Sequence, residues 1–152
     1  MPVAELNSPS APTTIVAPSA ATELPNTEPA VRIVAEVEFG TADRIGLDVR
    51  VGDGERTRIV ADRSTATLAV DRTRSGVVDF HGAFAGIHSV VVPPTDVLRL
   101  DVYVDEASVE VLAADGEVAL TDQVFPSPES TGLAVFADGG TAIVRELTVT
   151  AL

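Results

Sequence analysis

The chain has 152 residues, of which 23 are acidic and 10 basic, so its formal net charge at pH 7 is −13. This length suits one domain with one core, and the negative charge argues against nucleic acid as a partner, because phosphates would be repelled. The absence of cysteine excludes disulfides and thiolate chemistry. No run of about 18 apolar residues and no basic, apolar leader is present, so we expect no membrane span and no secretory signal, and the localisation stays open.

Residues 1–30 differ in composition from the rest of the chain. They hold six of the ten prolines and many Ala, Ser and Thr residues. Such a segment buries too little apolar surface to offset the entropy lost on ordering. We therefore predict a disordered linker over residues 1–30 and a folded domain over residues 31–152.

From Val31 onward, apolar and polar residues alternate in short segments, which is the pattern of half-buried strands. Glycine-rich or proline-containing breaks separate the segments, as at Gly52-Asp53-Gly54, Pro93-Pro94 and Asp115-Gly116. The predicted strands are residues 31–39, 45–51, 56–61, 67–71, 87–92, 98–104, 108–111, 118–120, 133–137 and 142–150.

About ten short strands and no long helical period predict an all-β fold, an antiparallel two-sheet β-sandwich of the jelly-roll or concanavalin-like kind. A closed barrel is the alternative. The glycine-rich segment from Arg72 to His88 is expected to cross between the sheets, which favours two sheets over a barrel. With five Phe, one Tyr and no Trp, the core must be mainly aliphatic.

Acidic residues follow the strand that begins at Leu98. A glycosidase needs a pair of carboxyl groups, and Asp101, Asp105, Glu106 and Glu110 offer such pairs in sequence. Tyr103 lies between the first two, on the face predicted to be outward, and could contact a sugar. Alternating acids on a solvated strand face are nevertheless an ordinary device that keeps sheets soluble. We therefore predict no catalytic residue and keep Tyr103 as a possible carbohydrate contact.

His81 and His88 are the only histidines, and a zinc site would want three or four ligands. Two histidines seven residues apart specify no metal site, so no metal and no cofactor are predicted. In the same region, Asp71 and Arg72 could form a buried or half-buried pair that fixes the crossover. Gly76 could adopt a backbone angle denied to other residues.

Several segments in order resemble a known family. They are V-D-R-T-R-S-G (70–76), D-F-H-G-A-F (79–84), L-R-L-D-V-Y-V-D-E-A-S-V-E-V-L (98–112), D-G-E (115–117), L-T-D-Q-V-F-P (120–126) and G-L-A-V-F-A-D-G-G-T-A (132–142). Residues 31–152 are similar to the C-terminal β-sandwich of glycoside hydrolase family 32, which includes levanases, inulinases and invertases. The resemblance implies that catalysis belongs to a separate five-bladed β-propeller, none of whose catalytic motifs is present here.

Three functions stay open on this basis. The favoured one is a non-catalytic accessory module that packs against and stabilises a catalytic propeller, in cis in a parent enzyme or in trans. The second is a stand-alone fructan-binding module that holds the polysaccharide on an exposed sheet face. The third is a self-sufficient hydrolase that uses Asp101, Asp105 or Glu110. An exposed apolar patch would favour the first function, and a concave polar groove near Tyr103 the second.

Overall fold

The computed structural model describes residues 13–16, 21–24, 26–76 and 86–152 of the chain. Strands dominate these residues, with one short 3₁₀ turn at Ala114–Gly116. The strands are β1 (Thr13–Val16), β2 (Ala21–Leu24), β3 (Val31–Glu38), β4 (Arg44–Gly52), β5 (Glu55–Asp62), β6 (Thr67–Arg74), β7 (Ile87–Val91), β8 (Val97–Val104), β9 (Ser108–Ala113), β10 (Val118–Gln123), β11 (Gly132–Asp138) and β12 (Thr141–Ala151). No helix among the described residues is long and apolar enough to span a membrane.

The strands form two six-stranded antiparallel sheets. Sheet A has the order β1-β12-β3-β8-β9-β10, and sheet B has the order β2-β11-β4-β5-β6-β7. Consecutive strands are neighbours in the runs β4-β5-β6-β7 and β8-β9-β10, so the hairpins expected at Gly52-Asp53-Gly54 and Asp115-Gly116 are present. The prediction of an all-β, two-sheet antiparallel sandwich is confirmed, and the barrel alternative is wrong.

The core lies between the sheets and is built mainly from alternate positions of the strands from β3 onward. In β3, for example, Val31, Ile33, Ala35 and Val37 are at most 3% exposed, whereas the residues between them face outward. The opposing sheet supplies the matching layer with Val, Ile and Leu side chains, and the buried cluster contains a single aromatic residue, Phe39. The expectation of an aliphatic core is thus met over the described residues, and each sheet keeps one outer face for other purposes.

The segment expected to cross between the sheets does not do so. β6 and β7 are antiparallel neighbours in sheet B, with Val70 opposite His88, so the connection between them returns to the sheet it left. The chain passes to sheet A after β7, through the Pro93-Pro94 segment that leads into β8. A proline pair ends the ladder there because it removes two backbone donors, and this stop, rather than the glycines, marks the change of sheet.

The predicted boundary at residue 31 stays a prediction, as does disorder before it. Within residues 1–30, the structure describes two short strands: β1 pairs with β12 and β2 pairs with β11. Since β11 and β12 are consecutive strands in different sheets, β1 and β2 extend both sheets on the same side of the sandwich.

Gly46 in β4 tests the close packing of sheet B. A methyl group at this position would lie 1.8 Å from the carbonyl oxygen of Ile59 and 3.0 Å from the ring of Phe136. We expect Gly46→Ala to lower the free energy of unfolding by more than about 2 kcal/mol, because backbone must shift to admit the methyl group. Urea unfolding followed by circular dichroism measures the change.

Gly54→Ala is the matched control. A methyl group there meets nothing within 4 Å, although the φ angle of +71° disfavours a side chain. The expected cost is about 1 kcal/mol. Equal costs for the two variants would contradict the packing described at Gly46.

Candidate functional site

Tyr103 lies on the outer face of sheet A, where sequence analysis placed it, opposite Glu110 of the neighbouring strand. Arg32 lies beside it, with its guanidinium carbon 5.3 Å from the centre of the tyrosine ring. The same arginine donates to both carboxylate oxygens of Asp101 at 2.9 and 2.8 Å. Hydrogen bonding to Asp101, together with its charge, raises the pKa of Arg32 above its ordinary value. One face of Tyr103 is therefore shared with a charged side chain that is itself held in place.

The carboxylates considered for catalysis lie in two places: Asp101 and Glu110 on the outer face of sheet A, and Asp105 and Glu106 after the end of β8. Asp101 is engaged by Arg32, whereas Asp105 and Glu106 lie in the turn after β8, where Asp105 accepts a hydrogen bond from the Glu106 amide. Asp105 is thus not on the strand face with Asp101, as sequence analysis had expected. Four residues along the chain correspond to about 13 Å of backbone between the Cα atoms of Asp101 and Asp105, whereas the carboxyl groups of a retaining glycosidase lie roughly 5 Å apart.

Of the two histidines, His81 lies outside the described residues, so only the contacts of His88 are described. His88 Nδ1 lies 3.1 and 3.3 Å from the two carboxylate oxygens of Asp122. Arg72 Nε lies 3.5 Å from the same carboxylate, and Arg72 also donates to the carbonyl of Gln123. No group of three or more metal-ligating side chains occurs in the described part of the chain.

These three side chains form a clamp between the sheets, which we call the edge clamp: Arg72 from β6, His88 from β7 and Asp122 from β10. Asp122 lies on the inward side of its strand, between the buried residues Leu120 and Val124, and its side chain is only 6% exposed. The prediction that Asp71 pairs with Arg72 is wrong. Asp71 instead accepts hydrogen bonds from the amide and hydroxyl of Thr73.

Gly76, which lies just after β6, has the backbone angle denied to other residues that was expected of it. Its φ angle is +118°, and a side chain would collide with the carbonyl oxygen of Phe125, only 2.2 Å from the position of a Cβ. Two of the quoted sequence segments, residues 70–76 and 120–126, therefore lie in contact at one side of the sandwich. They are joined by backbone packing at Gly76 and by charge at the edge clamp.

A second buried charged group was not anticipated. Arg50 is 2% exposed and donates to three backbone carbonyls: Ser130 at 2.6 Å, Ser127 at 3.0 Å and Asp105 at 3.2 Å. Burial lowers the pKa of this guanidinium below its ordinary value, against the opposing effect of nearby carboxylates, Glu106 first. Arg50 thus ties β4 to the loop before β11 and to the turn after β8. Its alternation with Val49 and Val51 predicted an outward, solvated side chain, so sequence offered no signal of this role.

Glu55 completes this cluster. Its carboxylate accepts hydrogen bonds from the Ser127 amide at 2.7 Å and the Ser130 hydroxyl at 2.5 Å. Burial alone would raise the pKa of Glu55, but the hydrogen bonds from Ser130 and Ser127 outweigh it and hold the pKa below its usual value. The arrangement is structural, since it secures the loop that carries both serines.

The outer face of sheet B is unlike that of sheet A. Phe136 faces outward yet is 3% exposed, because the guanidinium of Arg58 stacks on it at 3.9 Å. Arg58 in turn donates to both oxygens of the buried Asp48, at 2.7 and 2.9 Å. Toward the free side of the same sheet, Ile87 and Val91 of β7 are 63% and 77% exposed. Large apolar side chains this exposed are a signature of interaction surfaces when they occur together.

A family model described as "Glycosyl hydrolases family 32 C terminal" matches residues 4–151. A levanase from Bacillus sp. (strain L7) is 38% identical over 130 residues, which are 83% of this chain and 14% of that protein. A levanase from Bacillus subtilis (strain 168) is 36% identical over 116 residues, 75% of this chain and 17% of that protein.

Among solved structures, exo-inulinase from Aspergillus awamori superposes with a TM-score of 0.74 and 26% identity, covering 94% of this chain and 29% of that one. The chain therefore spans less than a third of the length of each of these three relatives. The shared part is the sandwich described above.

The edge clamp makes a testable contribution to stability. We expect Asp122→Ala to lower the free energy of unfolding by about 3 kcal/mol, because it leaves Arg72 without its carboxylate in a largely buried place. The matched control is Asp101→Ala on the outer face of sheet A, where the carboxylate is 30% exposed and the expected loss is below about 1 kcal/mol. Urea unfolding compares the two; similar losses would contradict the clamp.

Glu55 predicts a pH dependence. Because its folded-state pKa is depressed, the stabilisation is present above the unfolded value of about 4.3 and is lost as pH falls through the lower folded value. We expect Glu55→Gln to reduce the free energy of unfolding at pH 7, with a deficit that shrinks in acid. Denaturant titrations at a series of pH values measure it. Glu110→Gln, which changes an exposed carboxylate without a hydrogen-bond partner among the described residues, is the control; a deficit independent of pH would be contrary to this account.

Proposed function

Because this chain belongs to the C-terminal domain family of glycosyl hydrolase family 32, we propose that it is a non-catalytic accessory module of a fructan-hydrolysing or sucrose-hydrolysing enzyme. In this role it packs against a catalytic β-propeller and stabilises it, either in cis within a longer protein or in trans. The whole relatives are named levanases and an exo-inulinase, and this chain corresponds to a small share of each. Their activity therefore reaches this chain only through such a partner.

The observation that carries the proposal is the exposed apolar pair Ile87 and Val91 on the edge strand of sheet B. On sheet A, three arginines form cross-strand ion pairs with carboxylates: Arg32 with Asp101, Arg99 with Glu36 and Arg145 with Glu38. Such exposed pairs are typical of a face that stays in water. A face of this kind makes a poor permanent interface, because docking would desolvate every pair.

An uncharged row crosses the outer face of sheet B between two rows that contain ion pairs, Arg58 with Asp48 and Arg44 with Asp62, and the Arg58 guanidinium covers its Phe136 end. Register places one residue from each of five strands in this row: Phe136, Gly46, Val60, Ala69 and Ser89. Ile87 and Val91 flank Ser89 on β7 and are the largest exposed apolar side chains of the sheet. An interface core depleted of charge and rich in apolar area is what lasting association needs. The outer face of sheet B near β7 is therefore the surface proposed for the partner.

The strand β7 adds a second property that favours docking. It forms the edge of sheet B, and its residues Ile87–Val91 include neither a proline nor an acidic or basic residue other than His88. Edge strands of monomeric proteins commonly carry charges or prolines that prevent association. Their scarcity here is consistent with an edge that a partner covers.

A self-sufficient hydrolase is not supported, since Asp101 is engaged in the ion pair with Arg32 and Asp105 lies off the strand face, after the end of β8. Fructan binding that rests on Tyr103 as a stacking platform is also less favoured, because Arg32 lies over the ring. Tyr103 remains a proposed contact at most. Tyr103 lies on the outer face of sheet A, on the opposite side of the sandwich from the surface proposed for the partner.

Association with a catalytic partner is tested by mixing the purified chain with a levanase fragment that lacks its own C-terminal sandwich. We expect a complex in sedimentation velocity and a higher thermal inactivation temperature of the fragment. The double variant Ile87→Asp, Val91→Asp should weaken the complex by more than about tenfold, a change of about 1.4 kcal/mol, because it places charge in the proposed interface.

The control is Leu152→Asp, which introduces one negative charge in place of two, at a side chain that is 64% exposed but lies at the end of the chain, outside β7. Circular dichroism verifies that all variants fold. The proposal fails if the wild-type chain neither binds nor protects the fragment, or if the double variant binds as tightly as the Leu152→Asp protein.

A further inference from the structure

Two arginines, Arg56 and Arg74, differ from the other eight in this chain. All ten lie among the described residues, and eight of them donate to or form an ion pair with an oxygen of another described residue: Arg32, Arg44, Arg50, Arg58, Arg63, Arg72, Arg99 and Arg145. No hydrogen bond or ion pair joins Arg56 or Arg74 to a residue in the described part of the chain. In a chain of net charge −13, guanidinium groups without a carboxylate partner are unexpected.

Strand register places Arg56 and Arg74 directly opposite each other on the outer face of sheet B, and we call them the arginine pair. Facing residues of an antiparallel ladder point to the same side of the sheet, with Cβ atoms about 5 Å apart. Arg56 precedes the buried, inward-facing Thr57, so it points outward as Arg58 does. Like charges at such positions destabilise a sheet. A bound anion would offset this repulsion.

An irregularity in the ladder between β5 and β6 creates the arginine pair. Arg58 faces Asp71, so an unbroken register would place Thr73 opposite Arg56. One extra residue in β6 brings Arg74 to that position instead. Register shifts also interrupt the neighbouring ladders, β4 with β5 and β11 with β4, at the same end of sheet B. Bulges are over-represented next to active sites, where they re-aim side chains.

The carboxylates that neighbour the arginine pair along the strands are already engaged. Both oxygens of Asp48 accept hydrogen bonds from Arg58, and Asp71 accepts them from the amide and hydroxyl of Thr73. Glu55 accepts hydrogen bonds from two serines of the loop before β11. The charge of +2 on the arginine pair therefore has no counterion among the described residues. An anion from solution is the group that can neutralise it.

A cavity of about 440 Å³ adjoins the arginine pair. Arg56 borders this cavity, together with the apolar residues Leu24, Val51 and Leu133. Its volume lies in the range of small-molecule sites, which are mostly apolar and contain a few polar groups that fix the orientation of the ligand. Because Arg56 belongs to both the arginine pair and the cavity, a ligand held by the pair can extend an organic group over the apolar residues.

We propose that the arginine pair and the adjoining cavity bind a phosphate monoester that carries an apolar organic group. A carboxylate has one charge and two oxygens, and one guanidinium suffices for it, as the contact of Arg58 with Asp48 shows. Two adjacent guanidiniums instead match a group with nearly two negative charges and three acceptor oxygens, which a phosphate monoester has near pH 7. The apolar lining of the cavity favours an organic phosphate over inorganic phosphate.

This site is separate from the surface proposed for the catalytic partner. That surface is centred on Ile87 and Val91 of β7, whereas the arginine pair joins β5 to β6, two residues along β5 from Arg58. Ligand binding needs only the chain by itself. A failure to bind phosphate would therefore leave the accessory role open, and a failure to bind a catalytic fragment would leave this site open.

The experiment is calorimetric titration of the full chain with phenyl phosphate, benzoate and inorganic phosphate. Phenyl phosphate and benzoate share an aromatic ring and differ in the anionic group, whereas inorganic phosphate lacks the ring. We expect phenyl phosphate to bind at least about tenfold more tightly than either of the other two anions. Its affinity should fall as salt is added, because ions screen the exposed guanidiniums.

Arg56→Gln and Arg74→Gln should each weaken the binding of phenyl phosphate by about tenfold or more. Each variant should have a free energy of unfolding equal to or above that of the wild type, because the like-charge repulsion is removed. Weaker binding without lost stability separates a binding role from a structural one. The matched control is Arg44→Gln, the same change on the same face at the other end of β4, where Arg44 pairs with Asp62. This control should bind phenyl phosphate as the wild type does.

Three results would overturn the proposal. The first is that phenyl phosphate does not bind, and the second is that benzoate or inorganic phosphate binds as tightly as phenyl phosphate. The third is that the Arg56→Gln and Arg74→Gln proteins bind phenyl phosphate with the affinity of the Arg44→Gln protein.

Discussion

Everything in this structure depends on one buried aliphatic interface between two sheets. The strands from β3 onward contribute mainly alternate residues to it, such as Ile33 from sheet A and Ile59 from sheet B, and the side chains are small enough that the two layers can meet without large aromatic fillers. Burial of this surface supplies most of the favourable free energy of folding. It also consumes one face of each sheet, so any function must use the outer faces, the edges or the loops.

Charged side chains are buried at two places in the interior. At each place, specific hydrogen bonds or ion pairs replace apolar contacts. The edge clamp joins the sheets where their edge strands β7 and β10 would otherwise leave a side open. Arg50 binds three carbonyls of two loops and thereby fixes an end of the sandwich. A buried charge is tolerated only when partners satisfy it, so these clusters restrict the chain to one arrangement of its edges and loops.

Sequence analysis predicted most strands because alternation is a local property, readable from residues such as Val31 to Val37. It failed where the outcome depends on distant partners. Arg50 reads as a solvated strand residue, yet the carbonyls that bury it come from residues 105, 127 and 130. Asp122 carried a weak signal, since it falls between inward Leu120 and Val124, but its partners lie about 34 and 50 residues earlier. The rows of side chains that cross the outer faces could not be predicted at all, because they exist only once the register of the strands is known.

Strand register also explains why the outer faces of the two sheets carry different sets of residues. Along one strand, neighbouring outward residues need share no property, but across strands the register brings together residues that are remote in sequence. On sheet A the register aligns Val34 with Asp101 and Leu112, between rows that contain charged residues. On sheet B it aligns an uncharged row, between two rows with ion pairs, that ends beside Ile87 and Val91. A shift of one residue in a single strand would turn that strand's outward residues into the core. The buried interface therefore fixes the register, and the register in turn determines which side chains lie together on each outer face.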